Sequence, residues 1–310
     1  MSVIAAGEAL IDLAPRDTQL LPLPGGSPYN VAVGLARLGV RTSYLGRLSS
    51  DGFGQRLRQR LRDEGVDLTL AIPTDDPTTL AVVHLDDQAR ASYAFYLDGT
   101  SAAGLAAPLP SLPDGAALHL SFGAIGLEHP AGRVIAELVQ TTAGERVRTV
   151  DPNVRPSAIS DVASYAARMA DLVATCDLVK VSDEDLEQLH PDRDPLETAA
   201  AWASAGPALV VVTRGEHGAV ALTAAGRHLE VPGIDVEVVD TVGAGDAFTA
   251  GLLAWLDVRG YLDARAGLDE LTRGEGLTDA LASAVRAAAL TCGRAGAEPP
   301  TAEELAGFDG

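Results

Sequence analysis

Apolar residues along the chain form short compact runs, separated by segments whose apolar positions recur at helical spacing. Residues 3–13 open as a strand, 28–38 read as a helix, 42–48 as a strand, and Asp51 begins an amphipathic helix running to Glu64. The runs 118–121, 147–150, 178–181 and 209–212 each adjoin a helix-period segment. This alternation predicts an α/β fold: a mainly parallel central sheet flanked by helices on both faces, in three layers. Two excursions break the rhythm. Residues 79–85 and 91–97 form a hairpin across the polar turn 86–90, and 13–24 is an irregular stretch after the first strand. Together they predict a small β lid, from roughly 13–25 and 78–98, on a single domain spanning 1–310. Residues 219–222 and 228–231 form a further antiparallel pair about a turn at 224–226. The stretch 268–276 and the last residues read as loop.

Composition narrows the function classes. The net charge of −20 over 310 residues disfavours nucleic-acid and anionic-membrane partners, because polyanions are repelled by such a surface. No apolar run reaches the roughly 20 residues of a membrane span. The first residues lack the basic flank of a signal peptide, so a cytoplasmic protein is expected. The two cysteines, Cys176 and Cys292, make no Cys-x-x-Cys pair and read as small buried hydrophobes. The histidines show no metal spacing, and Gly-x-Ser-x-Gly is absent. Lys180 is the only lysine; every other basic side chain outside the histidines is arginine. A compact ammonium at the end of an apolar strand points to a place where a guanidinium would not serve, near a phosphate; a lysine kept by chance on an exposed strand end is the alternative reading.

The strongest chemical segment is Asp240-Thr241-Val242-Gly243-Ala244-Gly245-Asp246, where a strand-like stretch from Val239 runs into glycines and then an apolar helix over 247–256. Bare backbone N–H groups at a helix N-terminus form an anion hole. Asp246 would sit in the first turn beside it, placed to accept the proton of an attacking hydroxyl; a plain helix cap is the alternative reading. A Walker A loop is excluded because no Gly-Lys-Ser/Thr exists, and no Gly-x-Gly-x-x-Gly opens a helix after the first strand.

This segment resembles the C-terminal signature of the ribokinase (PfkB) sugar kinases. The N-terminal signature is similar too, in Gly25-Gly26-Ser27-Pro28-Tyr29-Asn30-Val31-Ala32 followed by Leu35-Ala36-Arg37-Leu38-Gly39. Gly7-Glu8-Ala9-Leu10-Ile11-Asp12 and Asp151-Pro152-Asn153-Val154-Arg155-Pro156 resemble the bacterial fructokinase branch. The resemblance implies a ribokinase-like fold and ATP-dependent transfer of a phosphoryl group to a ketohexose, D-fructose foremost. Other readings are a 2-keto-3-deoxygluconate, other-sugar or nucleoside kinase, or a non-catalytic sugar or nucleotide sensor.

It also implies site roles. Asp246 is the base, and the amides of Gly243, Ala244 and Gly245 hold the transferring group. Asp12, Gly25, Gly26, Asn30 and Arg155 face the sugar, and Phe95 and Tyr96 close over it. Lys180, Ser182, Thr213, Gly215 and Gly218 face ATP, and Asp185 reaches Mg²⁺ through a water. Leu97 stands where related kinases carry an arginine, which argues against an acidic sugar. The loop 294–300 lacks the serine usual in the family's cation loop, which argues against a potassium site. The expected partners are the sugar and ATP, with a homodimer left open.

Overall fold

The computed structural model describes residues 2–16, 19–85 and 91–308. Its main sheet holds eight strands. In chain order they are β1 (Ser2–Ala6), β4 (Arg41–Leu45), β9 (Ala117–Ser121), β10 (Arg148–Asp151), β11 (Leu178–Ser182), β12 (Leu209–Thr213), β13 (Ala219–Thr223) and β14 (His228–Val231). The spatial order is β14-β13-β12-β11-β10-β9-β1-β4. Pairing is parallel from β12 through to β4, and antiparallel for β13 and β14. β1, β11 and β12 read as largely apolar runs because both faces are covered.

On one face, Ile4, Leu118, Val150 and Val179 pack against α3 (Pro130–Thr141), α4 (Val162–Val173), α5 (Asp183–Leu189) and α6 (Pro195–Ala205). On the other, Val3, Ala117, Leu178 and Val211 pack against α1 (Ser27–Arg37), α7 (Ala244–Val258), α8 (Arg265–Arg273) and α9 (Gly276–Cys292). The three-layer α/β arrangement is the one the sequence pattern predicts. α2 (Gly52–Asp63) starts at an Asp51 cap, whose side chain accepts from the Gly54 N–H at 2.7 Å, and its Leu57 and Leu61 pack with Tyr29 and Tyr44.

A second, four-stranded sheet holds β2 (Leu10–Arg16), β3 (Gln19–Gly25), β7 (Leu80–Leu85) and β8 (Ala91–Tyr96), in the order β3-β2-β7-β8. It occupies the two excursions assigned to a lid; the turn 86–90 of the expected hairpin lies outside the described residues. A two-stranded ribbon pairs β5 (Arg47–Ser49) with β6 (Ile72–Thr74).

Several boundaries differ from the sequence pattern. The run 3–13 is two strands in different sheets, split at Gly7–Ala9, and 13–16 and 19–24 are ordinary antiparallel strand rather than irregular chain. Residues 42–48 break at Gly46, where a side chain would collide with the Gly7 carbonyl and the Tyr44 hydroxyl. Val239 and Asp240 are not strand; their N–H groups donate to the Cys292 carbonyl at 2.8 and 3.2 Å, tying the approach to α7 onto α9. The stretch 268–276 is largely α8, whose Leu268 and Leu271 bury against α9, and the chain adds α10 (Ala302–Ala306). Cys176 is buried as expected, whereas Cys292 is half-buried.

Candidate active site

The carboxyl ends of β9, β10 and β11 meet the N-termini of α1 and α7, the place where open α/β sheets bind ligands. Both helices begin on special glycines. Gly26 caps α1 at φ 102°, and a Cβ there would lie 2.7 Å from the Glu8 carbonyl oxygen. Gly243 caps α7 in the left-handed region at φ 78°, against Ala297. Only glycine adopts these conformations cheaply.

Asp246 lies in the first turn of α7. Its Oδ1 accepts from Ser27 Oγ at 2.6 Å and its Oδ2 from Asn30 Nδ2 at 2.8 Å. Ser27 and Asn30 are three apart on α1, hence on one face. The residue is half-buried. Surrounding protein raises its pKa above the ordinary aspartate value, the Ser27 and Asn30 bonds oppose that rise, and Asp151 and Lys180 act in opposite senses. The two bonds fix the carboxylate while leaving each oxygen a lone pair.

Asp12 on β2 leans over Gly25, whose missing side chain leaves room for the carboxylate. Burial pushes its pKa up to about 6, with Arg155 opposing and Asp246 adding. Arg155, after β10, donates to the Val154 carbonyl at 2.9 Å and faces Glu8, Asp12 and Asp185 electrostatically. The geometry thus gathers Asp12, Gly25, Gly26, Asn30, Arg155, Gly243, Ala244, Gly245 and Asp246. It also gives Asn30 a bond to Asp246, beyond the sugar contact expected of it.

Phe95 and Tyr96 point to opposite faces of β8, as a strand requires. Phe95 is partly buried against Leu10, Ala81 and Ala124, and its ring stacks on Tyr93 at 6.0 Å. Tyr96 is 62 % exposed. The inward aromatic pair is therefore Tyr93 and Phe95, not Phe95 and Tyr96. Tyr93 feels Asp12, Arg155 and Asp246, and burial raises its pKa.

The residues expected at ATP fall on three neighbouring segments. Ser182 caps α5: its Oγ accepts from the Asp185 N–H at 3.0 Å, and Asp185 Oδ2 accepts from the Ser182 N–H at 3.4 Å. Asp185 Oδ1 accepts from the Val154 N–H at 3.0 Å. Asp185 is thereby committed to bracing the 151–155 loop, and burial raises its pKa. Among the described residues no three acidic, histidine or cysteine side chains gather as a metal cage. Thr213 ends β12, and Gly215 (φ 50°) and Gly218 (φ 84°) flank a short 3₁₀ turn.

Lys180 is not on an exposed strand end. It is 5 % exposed, and its Nζ donates to Asp151 Oδ2 at 3.0 Å. The same Nζ lies 3.0 Å from the position a Cβ on Gly245 would take. Sequence reasoning left four site residues without a role: Ser27, Glu8, Tyr93 and Asp151. Helical spacing from Asn30 could have found Ser27, and strand alternation from Phe95 could have found Tyr93. Glu8 and Asp151 stand inside two of the quoted motifs, which gave neither a role.

The profile of the pfkB family carbohydrate kinases matches residues 3–304. A fructokinase of Rhizobium leguminosarum bv. trifolii is 42% identical over 280 residues, 86% of this chain and 84% of that protein. Among solved structures, a Vibrio cholerae O395 fructokinase double mutant in fructose-, ADP- and potassium-bound form superposes with a TM-score of 0.81 at 31% identity, covering 98% of this chain and 95% of that one. An ATP-bound Xylella fastidiosa fructokinase gives a TM-score of 0.86 at 27% identity, covering 98% and 97%. The paired glycine-led helices, the bonded aspartate between them and the span of the profile agree: the chain has the ribokinase-like fold and belongs to the pfkB family of carbohydrate kinases.

Proposed function

We propose that the protein is an ATP-dependent fructokinase, transferring the γ-phosphoryl group to a hydroxyl of D-fructose, with Asp246 as the proton acceptor. The observation that carries the reading is the Asp246 carboxylate, oriented by Ser27 and Asn30 beside the Gly243–Gly245 amides. The similarity to fructokinases across most of the chain supports the sugar.

A sugar hydroxyl bonded to Asp246 is held in line with the anion hole. The amides of Gly243, Ala244 and Gly245, at the positive end of α7, attract the transferring group. In phosphoryl transfer the nucleophile needs little activation until late, so a carboxylate suffices as acceptor. Burial raises its proton affinity toward that task, and the proton passes from the hydroxyl to an Asp246 oxygen. Asp12 and Arg155 orient the remaining hydroxyls, and Tyr93 and Phe95 exclude water that would compete as nucleophile.

Mg²⁺ would fit here through phosphate oxygens and water, with Asp185 holding one of those waters by the lone pair that each of its oxygens keeps after accepting a backbone N–H. When bound, it neutralises phosphate charge. Ser182, Thr213, Gly215 and Gly218 line the nucleotide side, where Lys180 reaches phosphate only through the Gly245 turn. Turnover measured over fructose, 2-keto-3-deoxygluconate, ribose and adenosine with MgATP tests the reading. Fructose gives the highest kcat/KM; preference for the acid sugar or the nucleoside overturns the substrate, and no turnover with any sugar overturns the kinase.

A further inference from the structure

The sole lysine and Asp151 have no role at Asp246 in the reading above, yet they form a buried ion pair under its centre. Strand alternation puts Leu178, Lys180 and Ser182 on the side of the sheet that faces α7, opposite Val179 and Val181. Asp151 closes β10 next to them, 2 % exposed; its Oδ1 accepts from the Asn153 N–H at 3.0 Å and its Oδ2 takes the Lys180 ammonium. With Nζ so fixed, the ammonium fills the space a side chain at position 245 would need, which explains glycine there. A guanidinium, broader and planar, would not fit the same gap under the turn.

The charges around this point are unbalanced. Asp246 faces Asp151 from β10, Lys180 from β11, Asp12 from β2 and Tyr93 from β8, while α1 contributes the uncharged Ser27 and Asn30. Asp240, before α7, is bonded to the Gly296 and Val242 N–H groups. Lys180 in turn faces Asp151, Asp185 and Asp246, and Arg155 lies toward Asp185, Asp12 and Glu8. Three carboxylates thus converge on one ammonium. A carboxylate crowded by like charges takes up a proton unless a cation is held nearby.

We propose that Lys180, pinned by Asp151 beneath Gly245, is a positioning residue for the transfer step: its ammonium is the fixed counter-charge that keeps Asp246 ionised and ready to accept the hydroxyl proton. The proposal rests on the kinase reading. It also gives Asp151 a double role, as the anchor that places the ammonium and as a like charge that opposes it at Asp246.

The test is the acid limb of kcat, measured with fructose and MgATP both saturating so that sugar-binding groups such as Asp12 do not set it. Lys180→Met moves the limb to higher pH by roughly one to two units, the scale of one charge at short range in a protein. Asp151→Asn, which removes a like charge, moves it to lower pH. The double variant returns near wild type. Lys180→Met strands a buried carboxylate and can fail to fold; the double variant against Asp151→Asn then isolates the same ammonium, with the limb higher in the double variant. A uniform loss of rate with an unmoved limb overturns the proposal, as does an upward limb in Asp151→Asn. A wild-type protein that phosphorylates no sugar overturns the kinase reading instead, so the two failures are distinct.

Discussion

Replacing Glu8 with glutamine probes the turn that joins the two sheets. Glu8 is 3 % exposed, and its two oxygens accept the Ala124 and Ile125 N–H groups, each at 2.9 Å. Burial dominates and pushes its pKa from 4.5 up to about 7; the two N–H bonds and Arg155 oppose the rise, and Asp12 adds to it. Ionising this acid therefore costs more in the folded than in the unfolded chain. The stability it contributes is full below about pH 4.5 and is lost as pH rises through about 7. A gap of about 2.5 units, at about 1.36 kcal/mol each, amounts to roughly 3 kcal/mol, of which roughly 2–3 falls between pH 5 and pH 8. Glutamine has the shape of the protonated acid and cannot ionise. Thermal denaturation of both proteins at pH 5 and pH 8 should show the Glu8→Gln variant gaining on wild type by roughly 2–3 kcal/mol at the higher pH. At about 2.1 cal/mol/K per residue that is a shift of roughly 3–5 °C in relative Tm. If the two proteins change in parallel, Glu8 does not titrate in this window and the reasoning fails.

Asp246→Asn lowers kcat by about 10²–10⁴-fold while nucleotide binding by calorimetry persists, since the amide keeps the helix start and the anion hole; near-normal turnover would remove the base from Asp246. Tyr93→Ala raises KM for the sugar several-fold and Tyr96→Ala leaves it unchanged, which steady-state kinetics on the two variants decides. Gly26→Ala drives a Cβ toward the Glu8 carbonyl at a backbone angle alanine avoids, at about 1–3 kcal/mol for the conformation alone. Both Tm and kcat fall, because the same turn aims Ser27 and Asn30.

The layers and the helix-capping glycines were legible because they rest on local pattern: continuous apolar strands, helical periodicity, and glycine where φ is positive. Asp246 was legible as a candidate because one short segment carries the glycine turn, the helix start and the acid together. What escaped depends on distance along the chain. No periodicity shows that residues 3–13 serve two sheets, since the break at Gly7–Ala9 is set by the neighbouring Gly46 and Pro28. The bond from Asn30 to Asp246 joins residues 216 apart. Lys180 was singled out by composition, but its partner Asp151 follows only from the parallel register of β10 with β11. Tyr96 was preferred to Tyr93 by motif adjacency, where strand alternation decides the matter.

The bonds from Ser27 and Asn30 to Asp246 also order events during synthesis. Until residue 246 has been made, the first turn of α1 has no carboxylate to hold, and the apolar side of α1 has no α7 to cover it. The early strands can pair, but one face of their sheet has only α1 to cover it until α7, α8 and α9 arrive. Contacts of such sequence separation are slow to close, and an uncovered apolar face invites association with other chains. A nascent chain is thus both inactive and sticky over most of its length, and acquires its chemistry and the cover of its apolar face in the same late step.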